Sequence, residues 1–372
     1  MKVLILSHNA GGGHSAAANA LKEEFNKKNI ECSIAYANVS MNKVEEITTK
    51  ENISHTVIKI IPEIYRFIYV LGELYNKSKI KSPLYGYNKM YAKNLSKFIE
   101  ENKYDVVIVT HLFPGHTLTF LNKKQKNIHF ITVSTDYLCL PLWQELKPDY
   151  YVIPSKDLLG CFVKRGINKK EILTFGIPVS SKFKKRANKA EAREKLNLPI
   201  NKHIALIMTG TIGYGKVNLI IDEIVKEYGR KVLPVVICGN NEKLKNNLEK
   251  KYKKSVIALG YKNNVDEYMD ASDVLITKPG GITSTESAVK NIPTIFTDPI
   301  PGVEIYNAKF FEKRGMAYYA ENYRDVVKYL DIIFNDNRAI NNMKKKQSKY
   351  INKNSALDLV NFIVKKYNKN SN

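Results

Sequence analysis

The stretch VLILSHNAGGGHSAAANALKEEF, residues 3–25, decides the fold. Val3–Ser7 is a short apolar run of strand length, Gly11, Gly12 and Gly13 follow it, and Ser15–Phe25 has helical composition. Strand, glycine loop, helix is the opening of an α/β unit. Glycines in such a loop let the backbone approach a ligand closely, and the start of the helix offers unpaired N–H groups to an anion or a polar group. The loop satisfies GxGxxA loosely through Gly11, Gly13 and Ala16. A dinucleotide fold also needs an acidic residue after its second strand, near Asn38, and none stands there, which disfavours a dehydrogenase. His14, at the mouth of the loop, reads as a site residue rather than a core histidine.

Outward from this unit the same rhythm continues. Strands are expected at Cys32–Ala37, Val106–Thr110, His129–Ser134 and Tyr150–Ile153, with segments of helix length between them. The pattern dissolves over Pro178–Pro199, a basic stretch, and restarts with strands at Ile204–Met208, Val232–Cys238, Ser255–Ala258, Val274–Thr277 and Thr294–Phe296. A chain of 372 residues suits two such domains. The expected architecture is α/β, two Rossmann-like domains with an interdomain cleft, because ligands of these sheets bind outside the carboxyl ends of the strands. The domains are placed at residues 1–178 and 201–345, with a linker at 179–200 and a C-terminal helix in 346–372 returning to the first domain.

Residues 52–101 interrupt the rhythm as an insertion that carries Tyr65, Phe67 and Tyr69 among lysines. Ile60, Ile61, Ile64, Phe67, Ile68 and Leu71 form an apolar stripe at helical spacing. Such a segment either lies in a membrane interface with its rings at headgroup depth or packs on the sheet, and periodicity alone does not choose.

The 59 Lys and Arg residues against 36 Asp and Glu leave a formal charge of +23, which suits an anionic membrane surface, nucleic acid or a phosphorylated substrate, or is simply a lysine-rich, well solvated surface; charge alone does not choose. No RNP-like, zinc-finger or helix-turn-helix signature points to nucleic acid. No run of about 18 apolar residues and no secretory signal is present, so the expected location is cytoplasmic. Cys32, Cys139, Cys161 and Cys238 are far apart without CxxC spacing, which suits reduced thiols and argues against structural zinc.

Three later segments can carry chemistry. Gly210–Lys216 matches most of a phosphate-binding GxxxxGK[ST] loop, but Val217 lacks the hydroxyl that would hold magnesium, so a P-loop nucleotidase is disfavoured. Lys278, Pro279, Gly280 and Gly281 precede a helix on which Thr283 and Glu286 fit a capping box. The same helix start also suits a diphosphate, and Glu286, one turn inside, suits the two hydroxyls of a ribose. Asp298–Glu304 is a proline-stiffened loop that would hold Glu304 in place to accept hydrogen bonds from sugar hydroxyls, or is a solvated turn without a ligand.

Taken in order, the GGGH loop, Thr135-Asp136-Tyr137 with Trp143 following, KPGG with Glu286, and the PxPGxE loop resemble the monogalactosyldiacylglycerol synthase and processive diacylglycerol glucosyltransferase group of glycosyltransferase family 28. The resemblance spans most of the chain and implies a GT-B fold and inverting transfer of a hexose, glucose before galactose, from a UDP-sugar to diacylglycerol, without a bound metal or other cofactor. It implies that Glu286 binds the ribose, Gly281 and Thr283 face the phosphates, Glu304 reaches the donor sugar, Tyr261 holds the uracil and Gly213 lies near the phosphates. On the acceptor side it implies His14 or Asp136 as general base. Gly12, Gly13, Tyr65, Phe67, Tyr69 and Trp143 are the residues expected to face acceptor or membrane, on the inner face of the cell membrane. Leu140 and Pro141 stand where plant-type members carry a histidine, and Val303 stands where the group often has glutamine. Two other activities fit related motifs or the same fold: transfer of N-acetylglucosamine to an undecaprenyl-linked peptidoglycan precursor, and epimerisation of a UDP-sugar.

Overall fold

The computed structural model describes residues 1–7, 12–38, 43–46, 84–210 and 215–368. They form two compact units, one of Met1–Ser180 with Asn354–Asn372 and the other of Ser181–Lys353.

In the first unit, strands β1 (Lys2–Ser7), β2 (Glu31–Asn38), β3 (Lys43–Glu46), β4 (Val106–Val109), β5 (Phe130–Val133), β6 (Tyr150–Val152) and β7 (Ile172–Leu173) make one sheet in the order β3-β2-β1-β4-β5-β6-β7. All neighbours are parallel except β3, which runs antiparallel to β2 at the edge. The apolar runs of β1 and β4 are buried along almost their whole length because helices cover both faces. Alternate residues go to opposite sides. Val3, Ile5, Val106 and Ile108 meet α1 (Gly12–Asn26) through Ala18, Leu21 and Phe25, and meet the last helix, Ser355–Tyr367, through Leu359, Val360 and Ile363. Leu4, Leu6, Val107 and Val109 meet α2 (Leu84–Asn102) through Ala92, Leu95 and Ile99, and α3 (Leu112–Lys123) through Leu118 and Leu121. The described end of the 52–101 insertion therefore packs on the sheet, while the Ile60–Leu71 stripe lies outside the described residues.

The second unit repeats the plan. Strands β8 (His203–Met208), β9 (Val232–Ile237), β10 (Ile257–Leu259), β11 (Val274–Thr277), β12 (Thr294–Phe296) and β13 (Tyr318–Tyr319) are ordered β10-β9-β8-β11-β12-β13, all parallel. Each sheet thus reverses its direction of growth once, between β1 and β4 and between β8 and β11. At such a switch point the loops leaving the two central strands diverge, and a crevice opens at their carboxyl ends.

Residues 181–200, expected as a linker, are folded into the second unit. The Arg193 side chain there is buried and donates to the carbonyls of Ala271 (2.9 Å) and Ile200 (2.9 Å) and to Asp273 (2.8 Å). The chain returns to the first unit after Lys353 rather than at residue 346. Gln347, fully buried, still belongs to the second unit, donating to Ile292 and Met316. No described helix is long and apolar enough to cross a membrane.

Candidate active site

At the first switch point, α1 starts at Gly12, so Gly12 and Gly13 form its first turn and His14 projects from it. Nδ1 of His14 lies 2.8 Å from the carbonyl oxygen of Thr110 and 3.1 Å from Oγ1 of Thr135. A carbonyl oxygen only accepts, so Nδ1 carries the proton and Nε2 holds the free lone pair. Burial lowers the pKa of His14, against a smaller upward pull from the Thr110 bond, so the ring is neutral at neutral pH. A neutral imidazole with Nε2 unprotonated is a base.

His111 packs edge-on against His14, ring centroids 4.8 Å apart at 86°. It is fixed as the N-cap of α3, its Nδ1 accepting from the Phe113 N–H at 3.3 Å. Three strand ends of the sheet thus converge on His14: its own after β1, Thr110 and His111 after β4, and Thr135 after β5. Asp136 follows Thr135 and is half-exposed, its carbonyl accepting from the Ser134 hydroxyl at 3.2 Å. Thr110 and His111 belong to none of the motifs quoted from the sequence; their signal is a histidine two residues past the buried VVIV strand.

Trp143 requires a correction. Its ring is 3% exposed, packed with Tyr151 and Phe162 in a core cluster of the first unit, so it does not face a membrane or solvent. Tyr65, Phe67, Tyr69 and Gly213 lie outside the described residues.

At the second switch point the helix Gly281–Lys290 follows β11. Its N-cap is Gly280, without a side-chain cap, and the first helical bond runs from Ser284 N–H to the Gly280 carbonyl. Thr283 and Glu286 therefore lie inside the helix and form no capping box. The N–H groups of Gly281, Ile282 and Thr283 have no carbonyl partner within the helix and face outward from its start. Glu286, one turn on, has its carboxyl pushed up to about 8 by burial, with Lys182 lowering it and Asp266 raising it by smaller amounts.

Lys278 directly follows β11. Its ammonium pairs with Oε1 of Glu304, whose Oε2 accepts from the Ile300 N–H at 2.8 Å. Glu304 is thus buried and held, as the stiff 298–304 loop implied, but one of its oxygens is engaged by Lys278. The Lys278 stem crosses Gly210, where a Cβ would stand 2.9 Å from Cε and where the φ of +72° favours glycine. Asp298 accepts from Lys216 N–H at 3.2 Å and ties the loop after β8 to the loop after β12. Tyr261, after β10, is 64% exposed, its ring open to a stacking partner. Among the described residues no group of three His, Cys, Asp or Glu side chains is arranged to hold a metal ion.

Two family models match: monogalactosyldiacylglycerol synthase over residues 14–179 and the glycosyltransferase family 28 C-terminal domain over residues 204–361. A processive diacylglycerol beta-glucosyltransferase of Bacillus pumilus is 30% identical over 98% of this chain and 94% of its own length. The protein of the same name from Bacillus licheniformis is 31% identical over 97% and 94%. A UDP-GlcNAc 2-epimerase from Neisseria meningitidis, solved with UDP-GlcNAc, is similar in structure with a TM-score of 0.63 over 98% of this chain and all (100%) of that one. At 15% identity that last likeness shows the fold alone.

Proposed function

The chain belongs to the monogalactosyldiacylglycerol synthase and processive diacylglycerol glucosyltransferase group of glycosyltransferase family 28, and from that premise we propose that it moves glucose from UDP-glucose onto diacylglycerol. The observation that carries the chemistry is His14: a neutral imidazole, its proton fixed on Nδ1 by Thr110, with a basic Nε2 at the carboxyl edge of the first sheet.

In this reading Nε2 of His14 draws the proton from the free hydroxyl of diacylglycerol as that oxygen attacks the anomeric carbon. The bond from that carbon to the β-phosphate oxygen breaks, its electron pair leaves with UDP, and the configuration inverts in one displacement. The N–H groups of Gly281, Ile282 and Thr283 offset the charge that develops on the departing diphosphate, so the step asks for no bound metal. Glu286 meets the ribose hydroxyls, Tyr261 stacks on uracil, and Glu304 takes a hexose hydroxyl on its remaining lone pairs. Asp136 is the other candidate base. The basic surface favours an anionic membrane, where the lipid substrate resides, as the place of work.

Incubation with each UDP-hexose and diacylglycerol in anionic vesicles, followed by separation of the lipids, tests the reading. Glucolipid from UDP-glucose is expected, and no glycolipid from any UDP-sugar defeats it. His14→Ala is expected to lower turnover at least a hundredfold, on the order of a general base's contribution, while UDP affinity stays within about threefold of wild type, a difference of less than about 1 kcal/mol. If Asp136→Asn shows that pattern instead and His14→Ala does not, the base is Asp136.

A further inference from the structure

We propose that Lys278 is a further catalytic residue: its ammonium pairs with Glu304 in the resting protein and transfers to the β-phosphate of the UDP leaving group during turnover. The inference rests on the glycosyl-donor reading above and assigns a residue that reading leaves without a role.

Three observations carry it. First, the ammonium stands on the N-cap of the helix Gly281–Lys290, 3.5 Å from the position a Cβ would take on Gly280. The start of a helix bears about half a positive charge. A lysine there adds like charge to like, and Glu304, the anion bound to it, offsets only part of the sum. The three groups together are short of negative charge by about half a unit, and a phosphate supplies it.

Second, the pair is partly withdrawn from water, with the side chains of Lys278 and Glu304 only 21% and 11% exposed. Withdrawn ion pairs add little net stability to a fold, so stability alone does not account for this one. Third, the lysine stem passes over Gly210, which sits at φ +72° and where a Cβ would stand 2.9 Å from Cε of Lys278. That crossing brings the ammonium over the carboxyl ends of both β8 and β11, the two strands that flank the switch point. Close by, Ser284 in the first turn of the helix is fully buried, and its hydroxyl has no partner among the described residues.

An ammonium has three N–H donors, and Glu304 Oε1 takes one. As the bond from the anomeric carbon to the β-phosphate oxygen breaks, that oxygen gains charge and outcompetes the carboxylate for Lys278. The lysine keeps its proton throughout and no covalent bond to it forms. Glu304, released, turns its free oxygen to the hexose.

Competition predicts effects of opposite sign, which a merely structural ion pair does not. Calorimetry on the full chain with UDP and with uridine, for wild type, Lys278→Met, Glu304→Gln and the double variant, reads them out. Lys278→Met is expected to weaken UDP at least tenfold and to leave uridine unchanged, whereas Glu304→Gln is expected to tighten UDP severalfold. If Lys278→Met fails to fold because Glu304 is stranded, the double variant, which has neither charge, folds and still binds UDP at least tenfold more weakly than wild type. A double variant with wild-type UDP affinity, or a Glu304→Gln protein that binds UDP more weakly, overturns the inference alone. Wild-type protein that binds no UDP overturns the donor reading and this inference with it.

Discussion

A carboxyl titrating near 8 is a neutral acid at pH 7, and Glu286 is such a group in the helix that follows the KPGG turn. A neutral acid both donates and accepts, which matches two ribose hydroxyls, and it adds no negative charge beside a diphosphate. Above pH 8 it becomes a carboxylate and repels one. UDP affinity of the wild type is therefore expected to fall severalfold between pH 7 and 9, while Glu286→Gln, fixed in the neutral form, keeps a flat profile over that range. A parallel decline in both proteins would remove Glu286 from the explanation. At this scale the sequence identified the residues better than their surroundings. The glycine turns did locate the two helix starts that carry His14 and Glu286. Trp143 was misread because an aromatic ring after a motif looks the same whether it faces lipid or Phe162. The Lys278–Glu304 pair joins residues 26 apart in sequence, and no local pattern announces it.

The long apolar runs, such as Val106–Val109 and Val274–Thr277, declared themselves as strands because both of their faces are covered. Strands β7 and β13 did not, for they have two residues each, and β3, KVEE, is mostly charged rather than apolar. Elements so short carry no period to read, and pairing with an existing sheet edge makes them strands. The last helix, Ser355–Tyr367, packs beside α1 through the fully buried Leu359, Val360 and Ile363. Ser355 donates to the Ile177 carbonyl at 2.7 Å and Tyr367 to Asp149 at 2.8 Å. Burying three aliphatic side chains of this size contributes about 5 kcal/mol, a large part of the stability of a typical domain. Leu359→Ala is expected to cost 2–5 kcal/mol, roughly the range for a buried leucine, measured by denaturant unfolding. A chain ending at Lys353 should lose cooperative unfolding of the first unit. An unchanged unfolding midpoint in Leu359→Ala would show that this helix is dispensable to the core.

For the whole molecule, the two-sheet plan was readable because the strand rhythm stops and restarts, but the exact crossing points were not. Residues 181–200 look like a linker in composition, and only the burial of Arg193 against Ala271 and Asp273 shows that they belong to the second unit. The charge of +23 is likewise a property of the whole chain. Surface attraction of this kind is screened beyond about 10 Å at moderate ionic strength, so sedimentation with anionic vesicles is expected to decline steeply with added salt. Vesicle binding that survives high salt would point to apolar insertion instead. The route of the chain also sets an order of assembly. The second unit, Ser181–Lys353, is an insertion within the first, and the helix that completes the first core emerges from the ribosome after all of it. During synthesis the second unit can close early, while the faces of Val3, Ile5 and Phe25 stay open until the final segment arrives. The half that comes first in sequence is thus the last to finish folding.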